Sequence, residues 1–221
     1  MKALQASLDR KQILVLDALR YSLMHERDVF RAVTRFLRRI GKMPFNSRPP
    51  DRLAIGALAS AWQLIDNIYR IRGLLRQVKG LSQKSPQIQL FLRNTAGVDN
   101  FRNFFQHLDS SIAKLSGKSY PIMGVLSWVT HDPAMSCSLS LGHWTKDTHA
   151  HSLVVDTWTS SFVARIQLDA GNASIELANA HSSARKLSAF LERWLRTKNM
   201  LRDTELAASV MRFGIGLRAG A

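Results

Sequence analysis

The positions of the apolar side chains predict a long helix near the start of the chain. Between residues 8 and 40 they recur at steps of three and four, which places them on one face of an α-helix. Gly41 is a favourable residue for ending that helix. Pro49 and Pro50 do not permit another helix through the segment that follows. The apolar positions are Ile13, Leu16, Leu19, Leu23, Phe30, Val33 and Leu37.

Three further helical patterns lie before residue 117. The second helix is expected to begin at Asp51 and to run to about residue 78. A shorter helix is expected over residues 87–95, after a connection rich in Gly, Ser and Pro. The next helix begins at Val98 or Asp99, extends to about residue 114 and is closed by Gly117.

The chain changes character after residue 120. Four segments rich in Val, Trp, Thr and Phe alternate or run apolar, and turn-like polar residues separate them. Their close spacing predicts an antiparallel meander of three or four strands. A helical pattern then returns over residues 177–200. The four strand-like segments are residues 123–130, 135–144, 152–158 and 162–168.

These elements predict a mainly α fold of the α+β type, in a single domain of residues 1–221. We expect a bundle of four or more helices built from residues 1–117 and 170–200, with a β-rich insertion, residues 120–169, before the last long helix. An apolar fraction of 46% supplies enough material for a core and argues against disorder. Residues 202–221 are expected to form a weakly ordered tail, a short helix followed by a frayed terminus.

The net charge narrows the range of partners. The chain has 31 Lys and Arg against 16 Asp and Glu, a formal charge of +15, which indicates a polyanionic partner: RNA, DNA or an acidic membrane face. The alternative is a basic protein from a GC-rich genome that uses Arg for solubility. Cys137 is the one cysteine, which excludes an intrachain disulfide and fits the cytoplasm. No run of about 18 apolar residues occurs, so no membrane span is expected.

A stripe of arginines runs along the first predicted helix. Arg27, Arg31, Arg35 and Arg38 follow one another at steps of three or four, which places them on one side of the helix. Such a stripe is a candidate nucleic-acid-binding face. A solvated face is the commoner explanation of a charge run.

The helix predicted over residues 98–114 carries the strongest candidate for chemistry. At about 100° per residue its apolar side chains fall in one arc, while Arg102 and His107 lie on opposite shoulders of the polar side. Asn103 lies between them and is four residues from His107, close enough to touch it. Phosphate chemistry uses this pair of side chains, because Arg binds phosphate and His transfers protons.

The string Arg-Asn-x-x-x-His formed by Arg102, Asn103 and His107 resembles the motif of the HEPN superfamily (higher eukaryotes and prokaryotes nucleotide-binding). The resemblance covers about residues 99–111. Active members are metal-independent endoribonucleases, so a toxin or defence activity without a cofactor is implied. The same stretch also resembles a set of uncharacterised bacterial helical proteins that have Arg-Asn-x-x-Glu-His-x-Asp at this place. In the present chain, Gln106 stands at the position of the Glu.

The HEPN resemblance implies a homodimer in which two motifs form one composite cleft. Arg102 would hold the scissile phosphate and stabilise its developing charge. His107 would be the general base or acid for attack by the ribose 2′-hydroxyl, and Asn103 would orient one of the two. An antitoxin or another partner subunit is a further expected partner. The alternative function is a non-catalytic basic interaction protein that binds nucleic acid or a partner subunit in an assembly.

The β-rich segment offers a third hypothesis, a metal site. His149 and His151 would point to the same face of a strand, and with His143 or Asp147 as third ligand they could hold zinc or another transition metal. Histidines at the loop ends of a basic protein are the commoner explanation, so no metal site is expected. Cys137 is expected to be a buried, inert thiol. Trp128 and the other strand tryptophans are expected in the core rather than on an aromatic platform for bases.

Overall fold

The structure is a computed structural model that describes residues 2–4, 8–44, 47–107, 121, 123–130, 135–141, 163–171 and 173–206. Within these residues it contains five helices and six strands. The helices are α1 (Arg10–Gly41), α2 (Asp51–Leu75), α3 (Pro86–Asn94), α4 (Val98–Gln106) and α5 (Leu177–Thr197). The strands are β1 (Lys2–Leu4), β2 (Val125–Thr130), β3 (Met135–Ser140), β4 (Val163–Ala170), β5 (Ala173–Glu176) and β6 (Leu201–Leu206).

The long helices α1 and α2 pack against each other and form the largest part of the core. α1 begins where the side chain of Asp9 accepts a hydrogen bond from the backbone N–H of Lys11, at 3.3 Å. A close approach to α2 is possible because Gly56 has no side chain, since a Cβ there would lie 2.6 Å from Cζ of Phe36. The buried Asn67 amide donates to the carbonyl of Ser22 at 2.7 Å and ties the two helices together.

A buried arginine on α2 fixes the junction between α3 and α4. The Arg72 guanidinium donates to the Leu92 carbonyl at 2.9 Å, to the Thr95 hydroxyl at 3.0 Å and to the Asp99 carboxylate at 3.0 Å. Thr95 is fully buried and Arg72 is 8% exposed. This network sets the position of α4 on α2, because three bonds from one planar group define both distance and direction.

The main sheet is antiparallel, with strand order β3-β2-β4-β5. All six residues of β2 are buried, so this central strand is covered on both faces. α5 contacts β4 and β5, and its buried Leu187, Leu191 and Leu195 belong to the same core cluster as Ile166 and Leu168 of β4. α5 begins where the Glu176 side chain accepts hydrogen bonds from the backbone N–H groups of the first helical turn.

The prediction of a mainly helical fold with a small antiparallel sheet is confirmed. The starts and ends of α1, α2, α3 and α5 agree with the apolar pattern to within a few residues. The finer prediction, a bundle of four or more helices, is not confirmed. None of the described helices is long and apolar enough to cross a membrane.

Two boundaries near the sheet and α4 are corrected. The helix with Arg102 ends at Gln106 rather than near residue 114, because His107 leaves the helical conformation with φ −110° and ψ 26°. Residues 108–120 lie outside the described part of the chain. Residues 173–176 form β5 rather than the start of the helical unit 170–200. Gly171, with a φ of +58° that favours glycine, lies where β4 turns back towards β5.

The predicted tail also begins differently. Residues 201–206 form β6, which pairs antiparallel with β1 and places Lys2 opposite Leu206. The sequence pattern predicts a weakly ordered tail from residue 202, starting with a short helix. The distant partner strand explains the difference, since a six-residue segment takes its conformation from the strand it pairs with rather than from its own weak periodicity.

Candidate nucleic-acid interface

Two polar contacts join α1 to α5 and define a groove between them, called here the α1/α5 groove. Nε of Arg20 lies 2.9 Å from Oε1 of Glu192, and Nδ1 of His181 lies 2.9 Å from Oε1 of Glu26. Positions increase along α1 while their partners decrease along α5, so the two helices run antiparallel. The polar contacts are buried on the α1 side, where Arg20 is 2% and Glu26 is 1% exposed.

Cationic side chains cover the outer side of this groove. A cavity of about 460 Å³ lies between the helices, and a shallower surface of about 340 Å³ continues along α1, with Arg31 shared by both. Together their described linings contain seven cationic side chains and one acidic one, Glu192. Asp28, next to the stripe, pairs with Arg31 at 3.4 Å, and both side chains are exposed. The seven cations are Arg27, Arg31, Arg35, Arg38, Arg39, Lys42 and Arg185.

The predicted arginine stripe is therefore one continuous positive surface. Arg27, Arg31, Arg35 and Arg38 are all exposed, and the stripe is extended by Arg39 and Lys42. From Arg27 to Arg39 the twelve helical steps cover about 18 Å along the axis of α1. A surface of this kind attracts phosphates through their charge without reading bases.

A carboxylate–histidine pair forms the floor of the α1/α5 groove. The His181 ring is stacked on Phe30, with 3.9 Å between ring centroids and 7° between planes, so its orientation is fixed. Burial raises the pKa of Glu26, while the hydrogen bond from His181 and the charges of Arg27 and Arg185 act in the opposite direction. The pair places an oriented imidazole beside three arginines.

Arg102 lies in a different place, a groove between α2 and α4 called here the α2/α4 groove. Its guanidinium stands 4.0 Å above the centroid of the Tyr69 ring, a cation–π contact. When the Gln106 amide is oriented with its oxygen towards Arg102, that oxygen accepts two hydrogen bonds, at 3.0 and 3.1 Å. The groove has a volume of about 390 Å³, and Asp66, Arg70 and the partly exposed Phe105 also line it.

Asn103 and His107 are not among the described residues that line the α2/α4 groove. Both are exposed, and His107 is the C-cap residue of α4, where its backbone N–H donates to the Asn103 carbonyl at 3.2 Å. The structure thus brings Arg102 into a groove while Asn103 and His107 lie outside its described lining.

The remaining candidates have mixed outcomes. His143, His149 and His151 lie outside the described residues, and within the described part no group of three or more His, Cys, Asp and Glu can hold a metal ion. Cys137 is half-buried in β3, and burial raises the pKa of its thiol, which keeps it protonated. Trp128 is 2% exposed and belongs to the core, as expected.

The sequence analysis missed the residues at the floor of the α1/α5 groove. One signal was present, because Glu26 occupies a position on the apolar face of α1, seven residues after Leu19 and seven before Val33. A carboxylate on an apolar face needs a buried partner. His181 could not be identified as that partner, since it is 155 residues away in sequence.

In comparisons with known proteins, no family model, no curated protein and no solved structure matches the chain.

Proposed function

We propose that this protein binds the phosphate backbone of a nucleic acid, with RNA as the expected form, along the α1/α5 groove and the arginine stripe of α1. The observation that carries the proposal is the ratio of seven cationic side chains to one acidic side chain in the described lining of this surface. Six of the seven cations are arginines, whose planar guanidinium groups bind phosphate through two parallel hydrogen bonds.

The length of the surface fits a polyphosphate rather than a single anion. Arg27 and Arg39 are about 18 Å apart along the helix, and one strand of a duplex carries a phosphate for about every 3.4 Å of the duplex axis. Several consecutive phosphates therefore fit on the stripe. Because the contacts are electrostatic, affinity should fall steeply as the salt concentration rises.

Cleavage of RNA by Arg102 and His107 is the second candidate function. Arg102 favours it, since its guanidinium is held in a groove that also contains Arg70 and the exposed ring of Phe105. The HEPN resemblance implies that the site is completed in a homodimer, working in the cytoplasm and regulated by an antitoxin or partner subunit. Catalysis by this pair needs an imidazole within hydrogen-bonding reach of the reacting group, together with the bound phosphate.

Charge reversal on α1 tests the first proposal. The variant Arg31→Glu/Arg35→Glu should bind a fluorescent single-stranded RNA at least about a hundredfold more weakly, because two phosphate contacts become repulsive. The matched control is Arg52→Glu/Arg76→Glu, which makes the same change in net charge at two exposed arginines, one in the first turn of α2 and one just after its end. Neither lies in the described lining of the two grooves or of the arginine stripe. The control should lose much less affinity, and an equal loss in both variants would show that net charge alone accounts for binding.

A further inference from the structure

The two nitrogens of the His181 imidazole have different surroundings: one contacts Glu26 and the other faces the α1/α5 groove. Nδ1 lies 2.9 Å from the Glu26 carboxylate, and the stacking on Phe30 prevents the ring from turning. No hydrogen bond joins Nε2 to any described residue, and the side chain is 15% exposed in a cavity that it lines with Arg27, Arg31 and Arg185. Nε2 is therefore the atom available to a ligand in the α1/α5 groove.

The Glu26 carboxylate also decides what Nε2 can bind. A neutral imidazole carries its single proton on one nitrogen, and an ionised carboxylate can only accept. With Nδ1–H donated to Glu26, Nε2 presents a lone pair. A lone pair repels a phosphate oxygen and attracts a hydroxyl group. The required ligand group is thus a hydroxyl next to a phosphate that the arginines can hold.

We propose that Nε2 of His181 accepts a hydrogen bond from a ribose 2′-hydroxyl, so that the α1/α5 groove distinguishes RNA from DNA. This inference rests on the proposed function, because the strand must first lie in the groove. In RNA the 2′-hydroxyl is adjacent to the 3′-phosphate of the same nucleotide, and it is the group by which proteins tell RNA from DNA. Arg27, Arg31 and Arg185 bind the phosphate while His181 binds the neighbouring hydroxyl.

Glu26 is a positioning residue in this scheme, since it acts on the ligand only through His181. The charged groups facing the pair are Arg27 and Arg31 on α1 and Arg185 and Glu192 on α5. The arginines stabilise the ionised form of Glu26 that orients the imidazole proton.

The test compares three single-stranded oligonucleotides of one sequence: RNA, DNA and 2′-O-methyl RNA. Binding is measured by fluorescence anisotropy in the same buffer and at the same salt concentration for all three strands. The wild-type protein should bind RNA about three- to tenfold more tightly than either analogue, the range expected for one hydrogen bond.

Two variants assign any preference to the pair. Glu26→Met/His181→Phe replaces both polar partners together, so no buried charge is left alone and the ring stays over Phe30. It should bind all three strands with the affinity that the wild type shows for DNA. Glu26→Gln keeps the imidazole but no longer dictates its tautomer, and it should reduce the preference for RNA without abolishing binding.

The outcomes separate the two proposals. If the wild type binds RNA, DNA and 2′-O-methyl RNA equally, the role of His181 is overturned while backbone binding stands. A preference that persists unchanged in the folded double variant also overturns it. Failure of all three strands to bind overturns the proposed function itself. Should the double variant not fold, the wild-type comparison and Glu26→Gln still decide the question.

Discussion

The α1/α5 groove and the α2/α4 groove both contain arginines, but the arginines have different surroundings. In the α2/α4 groove, Arg102 lies over Tyr69 and is bonded to Gln106, and Asp66 is close by in the same lining. In the α1/α5 groove, three arginines surround an oriented histidine, and the positive surface continues along α1. In the α2/α4 groove, Arg102 is already held by contacts within the protein. The α1/α5 groove, in contrast, presents several cations to a ligand.

A short motif and an accumulation of charge therefore support different kinds of prediction. The motif of Arg102, Asn103 and His107 predicts a reaction, which depends on atoms meeting within hydrogen-bonding distance. The arginine stripe predicts only attraction for phosphates, which tolerates imprecise geometry because Coulomb forces fall off slowly with distance. The folded chain can therefore support the second claim without supporting the first.

The largest difference that we expect between the two grooves concerns RNA cleavage. If the α2/α4 groove and α4 form the nuclease site, wild-type protein should cleave mixed RNA in EDTA and leave 2′,3′-cyclic phosphate ends. His107→Ala should then lose about a hundredfold or more of the rate, as expected for a missing general acid or base. Arg93→Ala, an exposed change on α3 outside the described lining of the α2/α4 groove, serves as the control.

Absence of cleavage by the wild type would remove the reaction from the α2/α4 groove and leave binding at the α1/α5 groove as the function. Equal cleavage by wild type and His107→Ala would exclude His107 as a catalytic residue.

The next effect concerns the stability of the α2/α4 side. Arg72→Met removes the hydrogen bonds to Leu92, Thr95 and Asp99 and should lower the free energy of unfolding by about 2–4 kcal/mol. Urea titration measures it. Arg70→Met changes an exposed arginine two residues earlier on α2, and it should lower the free energy of unfolding by less than about 0.5 kcal/mol.

RNA affinity of Arg72→Met, measured where the variant is folded, should equal that of the wild type, because Arg72 is not in the described lining of the α1/α5 groove or the arginine stripe. A large loss of affinity in this folded variant would contradict the assignment of binding to α1 and α5.

The smallest effect concerns pH. Burial raises the pKa of Glu26 above its ordinary value of 4.5 in the folded protein. The folded state therefore takes up this proton at a higher pH than the unfolded chain does. The stabilising contribution of protonation is complete below the ordinary value and is lost as the pH rises through the raised one.

Glu26→Gln should flatten this part of the stability profile, which urea unfolding across acidic to neutral pH would show. Asp28→Asn, which removes an exposed acid two residues later, is the matched control for the loss of one carboxylate. A difference in unfolding free energy, wild type minus Glu26→Gln, that rises with pH through this range would contradict the sign.

Local pattern accounts for what the sequence predicted well. The apolar stripe of α1 and the Gly at residue 41 locate that helix, because spacing and stop signals act over a few residues. The arginine stripe follows from the same helix. The apolar pattern does not show that α4 ends before His107 or that β5 forms, because each of these depends on the conformation of only a few residues. The pairing of Glu26 with His181 was beyond reach because it depends on how two helices distant in sequence pack together.

The pairing of β1 with β6 has a consequence for the order of folding. Lys2 lies opposite Leu206, so this small sheet closes a loop that contains nearly the whole described chain. The entropy lost on closing a long loop must be met before the strand hydrogen bonds form. Two short strands cannot meet that cost alone. We therefore expect β1 and β6 to pair only after α1 and α5 have packed and brought these two strands together.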